Sequence, residues 1–147
     1  MSVIGREELA AMIPHKGTMC LLDQVVRWDQ CSIECTSLSH RRTENPLRHD
    51  GRIAAVHAIE YGAQAMAVHG ALLASEQGRC LRPGYIAALR NIEIACSTID
   101  DIDRPLQVKA WQLMADGGNL VYQFEVKAGR ELVASGRVTV VEMEENE

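Results

Sequence analysis

The stretch from Ile53 to about Ser75 decides what this chain can become. Nearly every position in it is Ala, Val, Ile, Met, Leu or Gly, and the apolar residues fall all round the helical cylinder rather than along one stripe. That is the pattern of a helix packed on most of its sides. A membrane span is excluded because His57, Glu60, Gln64 and His69 interrupt the run, and polar groups are costly in hydrocarbon. The expectation is a buried helix over about 53–75, and such a helix needs a sheet wrapped around it.

The rest of the chain supplies that sheet. Residues 85–96, 105–115, 119–128 and 131–141 read as strands. Asp116-Gly117-Gly118-Asn119 and Ala128-Gly129-Arg130 read as hairpin turns, since glycine supplies the positive φ that tight connections require. Leu120, Tyr122, Phe124 and Val126 alternate with Val121, Gln123, Glu125 and Lys127, so one face is buried and one is mostly polar. Ahead of the helix, residues 6–13 read as a short amphipathic helix stopped by Pro14, and 19–28 with 31–38 as a first β-hairpin turning near Asp29-Gln30. Residues 39–52 form a polar loop containing Asn45-Pro46 and Asp50-Gly51. The fold class is α+β: an antiparallel sheet curled around one long central helix.

A length of 147 residues, with no repeat and no linker, is expected to form a single domain over 1–147. With 47% hydrophobic residues and a net charge of −5, the chain is neither disordered nor suited to general nucleic-acid binding. The first nine residues show no secretory pattern, so the cytoplasm is the expected location. Cys20, Cys31, Cys35, Cys80 and Cys96 lack metal-site or C-x-x-C spacing and read as reduced core or half-buried thiols. No metal site is expected, and no nucleophile-elbow, phosphate-loop or dinucleotide motif occurs.

Polar residues inside the apolar helix carry the chemical signal. His57, Glu60, Tyr61 and Gln64 recur at spacings of three and four, which puts them in one stripe. Glu60 and Gln64 either hydrogen-bond to neighbouring backbone or a partner subunit, or form a functional pair in which burial raises the carboxyl pKa and makes Glu60 a general acid. Among the histidines, His15 stands at the junction of the first helix and first strand, where a groove can open. His49 lies in the polar loop, His57 can pair with Glu60, and His40 and His69 give no signal. Arg41, Arg42, Arg48 and Arg52 give the 39–52 loop four arginines against two acids, either a solvated loop or an anion-recognition surface for an acidic carrier or a phosphorylated arm.

Two segments resemble those of the hot-dog-fold 3-hydroxyacyl-[acyl carrier protein] dehydratases. Ile13-Pro14-His15-Lys16-Gly17-Thr18-Met19-Cys20-Leu21-Leu22-Asp23-Gln24-Val25 is similar to the family's N-terminal block, and Glu60-Tyr61-Gly62-Ala63-Gln64-Ala65-Met66 to the Glu-x-x-x-Gln start of its central helix. Asn45-Pro46-Leu47-Arg48 and Arg82-Pro83-Gly84-Tyr85 make the resemblance closest to the divergent branch of aryl-polyene and related clusters. The sequence departs from the fatty-acid enzymes at one point. Their catalytic histidine precedes the helix acid by fourteen residues, which here reaches Pro46, and the Pro-Gly that begins their helix corresponds to Ala54-Ala55.

The resemblance implies loss of water from a 3-hydroxyacyl thioester to give a trans-2-enoyl thioester. Glu60 would then be the acid and His15 the base, with His49 and His57 as alternative bases. Gln64 and Tyr61 would be supporting polar groups, and the Ala55 and Val56 N–H groups the oxyanion donors. No cofactor is implied beyond the phosphopantetheine arm of an acyl carrier protein, which Arg41, Arg42, Arg48 and Arg52 would contact. The architecture implies a homodimer or a heterodimer with a second hot-dog subunit. A hot-dog thioesterase and a non-catalytic subunit of a heterodimeric dehydratase are the alternatives.

Overall fold

The computed structural model describes residues 3–13, 19–80 and 82–143. A short helix α1 (Arg6–Ala10) leads to β1 (Gln24–Trp28) and β2 (Ser32–Ser37). After the 39–52 loop comes the central helix α2 (Ala58–Glu76), followed by β3 (Gly84–Ile94), β4 (Leu106–Asp116), β5 (Asn119–Ala128) and β6 (Glu131–Glu142). The strands form one six-stranded sheet in the order β1-β2-β4-β5-β6-β3, every pairing antiparallel.

The β4–β5 and β5–β6 hairpins follow the turn chemistry of the sequence. Gly117 and Gly118 take φ of 56° and 90° between the paired Asp116 and Asn119, as a type I′ turn demands. Gly129 takes φ of 64° between Ala128 and Glu131. The expected alternation on β5 holds: Tyr122, Phe124 and Val126 are buried against α2, with Val108, Ala110, Ala134 and Val138 on neighbouring strands. Helix and sheet approach closely at Gly62, where an added Cβ would stand 2.6 Å from the Phe124 ring.

Several boundaries differ from expectation, each for a local reason. α2 starts at Ala58, not at 53, because Ile53 and Ala54 are tied to the 97–100 segment. The Ile53 N–H donates to Asp100 Oδ1 at 2.8 Å, the Ile53 carbonyl accepts from Ile99, and the chain then makes a 3₁₀ turn over Ala55–His57. Apolar residues in a bridge and in a helix look alike by composition. The helix ends where Gly78 takes φ of 70° and the N–H groups of Gly78 and Arg79 cap the Ser75 and Ala74 carbonyls. Residues 20–22 are buried but stand outside the ladder, so β1 begins at Gln24 rather than 19. α1 closes into a turn after Ala10, short of 13.

β3 is an edge strand whose side chains are exposed on both faces, Tyr85, Ile86, Leu89 and Ile94 among them. Of the cysteines, Cys20 and Cys35 are buried as expected, whereas Cys31, Cys80 and Cys96 are exposed because they lie in turns and chain ends of strands. Among the described residues no helix is long and apolar enough to cross a membrane.

Candidate active site

Glu60, Ala63, Ala67 and Gly70 recur at helical spacing and present one face of α2 to the sheet. Opposite them, Gly84–Ile86 of β3, Leu120 and Tyr122 of β5 and Val140 of β6 complete a groove of about 390 Å³. Its walls are chiefly apolar, and Glu60 is the acid that α2 brings to it, half-buried in the first turn of the helix.

Gln64, one turn on, is fully buried and acts as a clamp. Its Oε1 accepts from the Leu21 N–H at 2.9 Å, and its Nε2 donates to the Met19 carbonyl at 2.8 Å while lying 3.5 Å from Glu60 Oε2. The chain just after residues 14–18 is therefore fastened beside Glu60. His15, the expected base, lies outside the described residues. Gln64 thus serves as the backbone partner that the sequence left open and as the neighbour of the acid at once.

The rest of the expected stripe separates. Tyr61 turns away from the groove into a buried cluster, with its hydroxyl 2.8 Å from Ser39 Oγ and accepting from Asn45 Nδ2 at 3.2 Å. It fastens the 39–52 loop to the helix and does not support Glu60, because adjacent helical positions point about 100° apart. Burial pushes its hydroxyl pKa up, against the hydrogen bonds from Ser39 and Asn45. His57 is half-buried at the end of the 3₁₀ turn and is not hydrogen-bonded to Glu60. His49 is 90% exposed at a loop tip, where it faces the equally exposed Asp50 at 3.5 Å. Neither alternative base is held against Glu60 within this chain.

Two further groups of expected site residues make contacts within the fold. The Ala55 N–H donates to the Ser97 carbonyl at 2.9 Å, so it is not free as an oxyanion donor; Val56 lies next to it with an exposed side chain. The loop arginines bind the fold itself. Arg41 donates to the Asp100 carbonyl, and Arg42 to Asp23 at 2.6 Å. Arg48 donates to the carbonyls of Arg42, Gly51 and His40, and Arg52 to Asp100 and Thr98. A polar loop carries many backbone carbonyls that need donors, and these guanidinium forks supply them. Asp100 is the anchor: burial would raise its pKa, but the Ile53 N–H and the Arg52 guanidinium hold it below the ordinary carboxylate value.

His40 and His69, which gave no signal in the sequence, are both fully buried. His69 Nε2 lies 2.9 Å from the Asp29 carbonyl, an obligate acceptor, so that nitrogen carries the proton and Nδ1 accepts from the Tyr122 hydroxyl at 2.7 Å. Gln112 Nε2 in turn donates to the Tyr122 oxygen at 3.1 Å. This network fixes Tyr122, whose ring lines the groove and whose hydroxyl is pushed up to about 12 by burial. The usable signal was a histidine in a fully apolar helix opposite a strand with an inward tyrosine: both need partners. Among the described residues, no group of three or more His, Cys, Asp or Glu side chains is placed to hold a metal ion.

A family model described as ApeP dehydratase matches residues 7–147. The chain belongs to the ApeP-like dehydratase family. No curated protein sequence matches it. Among solved structures it is similar to a chain of the dehydratase heterocomplex ApeI:P from Xenorhabdus doucetiae. The two are 20% identical with a TM-score of 0.82, over 95% of this chain and 93% of that one. An HP0420 homologue from Helicobacter felis follows at 9% identity and TM-score 0.65, covering 96% and 91%. A hypothetical thioesterase with coenzyme A from Streptococcus pneumoniae stands at 11% identity and TM-score 0.59, covering 84% and 87%. At such identities the likeness is one of fold, and the fold is the hot-dog expected from the sequence.

Proposed function

We propose that this chain dehydrates 3-hydroxyacyl thioesters presented on the phosphopantetheine arm of an acyl carrier protein, giving trans-2-enoyl thioesters in fatty-acid-like or aryl-polyene biosynthesis. The observation that carries the reading is Glu60, the carboxyl that α2 places in a chiefly apolar groove whose far wall also holds Arg82 and Glu142, in a member of a dehydratase family. A base removes the C2 proton, electrons move toward the thioester carbonyl, and Glu60 delivers a proton to the departing C3 hydroxyl as water leaves. The elimination is redox-neutral and needs no cofactor of its own. Gln64 supports the acid from 3.5 Å and holds the Met19–Leu21 segment in place beside it. His15, four residues ahead of Met19, is the base in this reading, and the backbone at Val56 is the candidate donor for the developing enolate oxygen.

The exposed apolar side chains of edge strand β3 support assembly through that edge, as a homodimer or with a second hot-dog subunit. A second reading rests on Pro46, which is exposed fourteen residues before Glu60 and carries no ionisable group: in it a second hot-dog subunit, and not His15, supplies the base. The neighbour from Xenorhabdus doucetiae, itself part of a dehydratase heterocomplex, fits that arrangement.

The test is mass spectrometry of a 3-hydroxyacyl-carrier-protein substrate with the purified chain, alone and mixed with a second hot-dog subunit. Loss of water from the acyl chain is expected, with Glu60→Gln lowering the rate by about 10²–10⁴-fold. Release of free acid instead would make the protein a thioesterase.

A further inference from the structure

Alternation along the β3–β6 ladder decides which side chains stand on the outer face of the sheet. On β6, Val138 is buried in the core, whereas its neighbour Arg137 points the other way and is exposed. The register sets Arg90 of β3 directly opposite Arg137, and residues opposite each other on an antiparallel pair share a face, with Cβ atoms about 4.5–5.5 Å apart. Two exposed arginines therefore stand side by side, an arrangement that like-charge repulsion disfavours. The rest of the sheet does little to offset it. The other neighbour of Arg137 is the uncharged Gln123. The acids one rung along, Glu93 and Glu125, both stand opposite Ser135, and Glu125 is 3.5 Å from Lys127. Among the described residues, neither Arg90 nor Arg137 has an ion pair or a hydrogen bond.

β3 is a free edge of the sheet, and Arg90 lies one residue past the strand's midpoint, Leu89. A two-fold pairing of two copies through this edge brings the middle of the strand against itself. Arg90 and Arg137 of one copy then meet the same two residues of the other, four guanidinium groups on one face. Glu93, near the end of the strand, falls closer to Tyr85 of the other copy than to its Arg90. We propose that the Arg90–Arg137 pair selects the partner of the β3 edge: a hot-dog subunit of different sequence that presents carboxylates opposite the pair, in preference to a second copy of this chain. The inference rests on assembly through β3. Exposed Ile86 and Leu89 offer apolar surface that either partner can cover, so the charges discriminate between them. Neither arginine lines the groove beside Glu60, so the choice of partner is separable from the chemistry.

The experiment measures self-association of the full chain by analytical ultracentrifugation at low salt. An Arg90→Gln, Arg137→Gln double variant should dimerise at least about fivefold more tightly than the parent, because the repulsion is gone and the apolar surface is kept. An Arg90→Glu, Arg137→Glu double variant then stands in for an acidic partner. Mixed with the parent, it should give mixed dimers in excess of random assortment by native mass spectrometry. That excess should fade between about 0.05 M and about 0.5 M salt as screening shortens the reach of the charges. Circular dichroism confirms that each variant is folded. Leu89→Lys, which spoils the edge itself, should weaken all of these dimers. Self-association indifferent to Leu89→Lys would overturn assembly through β3 and this proposal with it. Dimers that respond to Leu89→Lys but are unchanged or weakened by the glutamine substitutions, or that assort at random with the glutamate variant, would overturn the proposal alone.

Discussion

His69 shows how much of the molecule rests on the protonation state of single side chains. It is buried with its Nε2 proton on the Asp29 carbonyl and its Nδ1 accepting from Tyr122, an arrangement that only the neutral ring satisfies. Burial lowers its pKa, more than the Asp29 carbonyl and carboxylate raise it, and burial lowers that of His40 as well. For both, the folded pKa lies below the unfolded value of 6.5, so the unfolded chain takes up protons first as pH falls. The contribution of these two histidines to stability is therefore full above pH 6.5 and declines below it. Urea midpoints should drop between about pH 7 and about pH 5, and the drop should shrink in a His40→Gln, His69→Gln double variant. Tyr61→Phe, which strips a hydroxyl shared by Ser39 and Asn45, should cost about 1–2 kcal/mol by the same measurement. At this scale Glu60 and Gln64 were legible, because polar groups in an apolar helix announce themselves. The direction of Tyr61 and the fate of the loop arginines were not, because periodicity gives a side of a cylinder and not the atom waiting there.

Elements were read from two periods and from glycine. The strands β4, β5 and β6 follow from alternation and from turns whose glycines take positive φ. The start of α2 was missed, since Ile53 and Ala54 carry the same apolar signal as the helix but serve a bridge to 97–100, a long-range pairing no local pattern contains. The close approach of helix and sheet at Gly62 gives a prediction with opposing terms. Gly62→Ala gains about 1 kcal/mol of helix propensity, yet its Cβ would meet the Phe124 ring at 2.6 Å. Overpacking should win, for a net loss of about 1–2 kcal/mol in denaturant unfolding. A variant more stable than the parent would mean that Phe124 moves aside freely.

For the whole molecule, the question is what covers β3. Every strand but this edge and β1 is paired on both sides, and β3 carries exposed Tyr85, Ile86 and Leu89. Assembly through β3 predicts a dimer by sedimentation, and Leu89→Lys, outside the groove, should shift it toward monomer. A wild-type monomer with no second hot-dog subunit bound would contradict that arrangement. The sheet wrapped around one helix was readable from sequence because a helix apolar on all sides demands it. The edge was not, because the strand that ends a sheet is set by pairing order.

The proposed chemistry turns on Glu60 as the acid of an elimination on a 3-hydroxyacyl thioester. Its most direct test is mass spectrometry of a 3-hydroxyacyl-carrier-protein substrate with the active assembly, comparing the parent with folded Glu60→Gln and His15→Ala variants. Loss of water is expected with the parent and near-complete retention of substrate with both variants. Dehydration that proceeds undiminished in Glu60→Gln would contradict it.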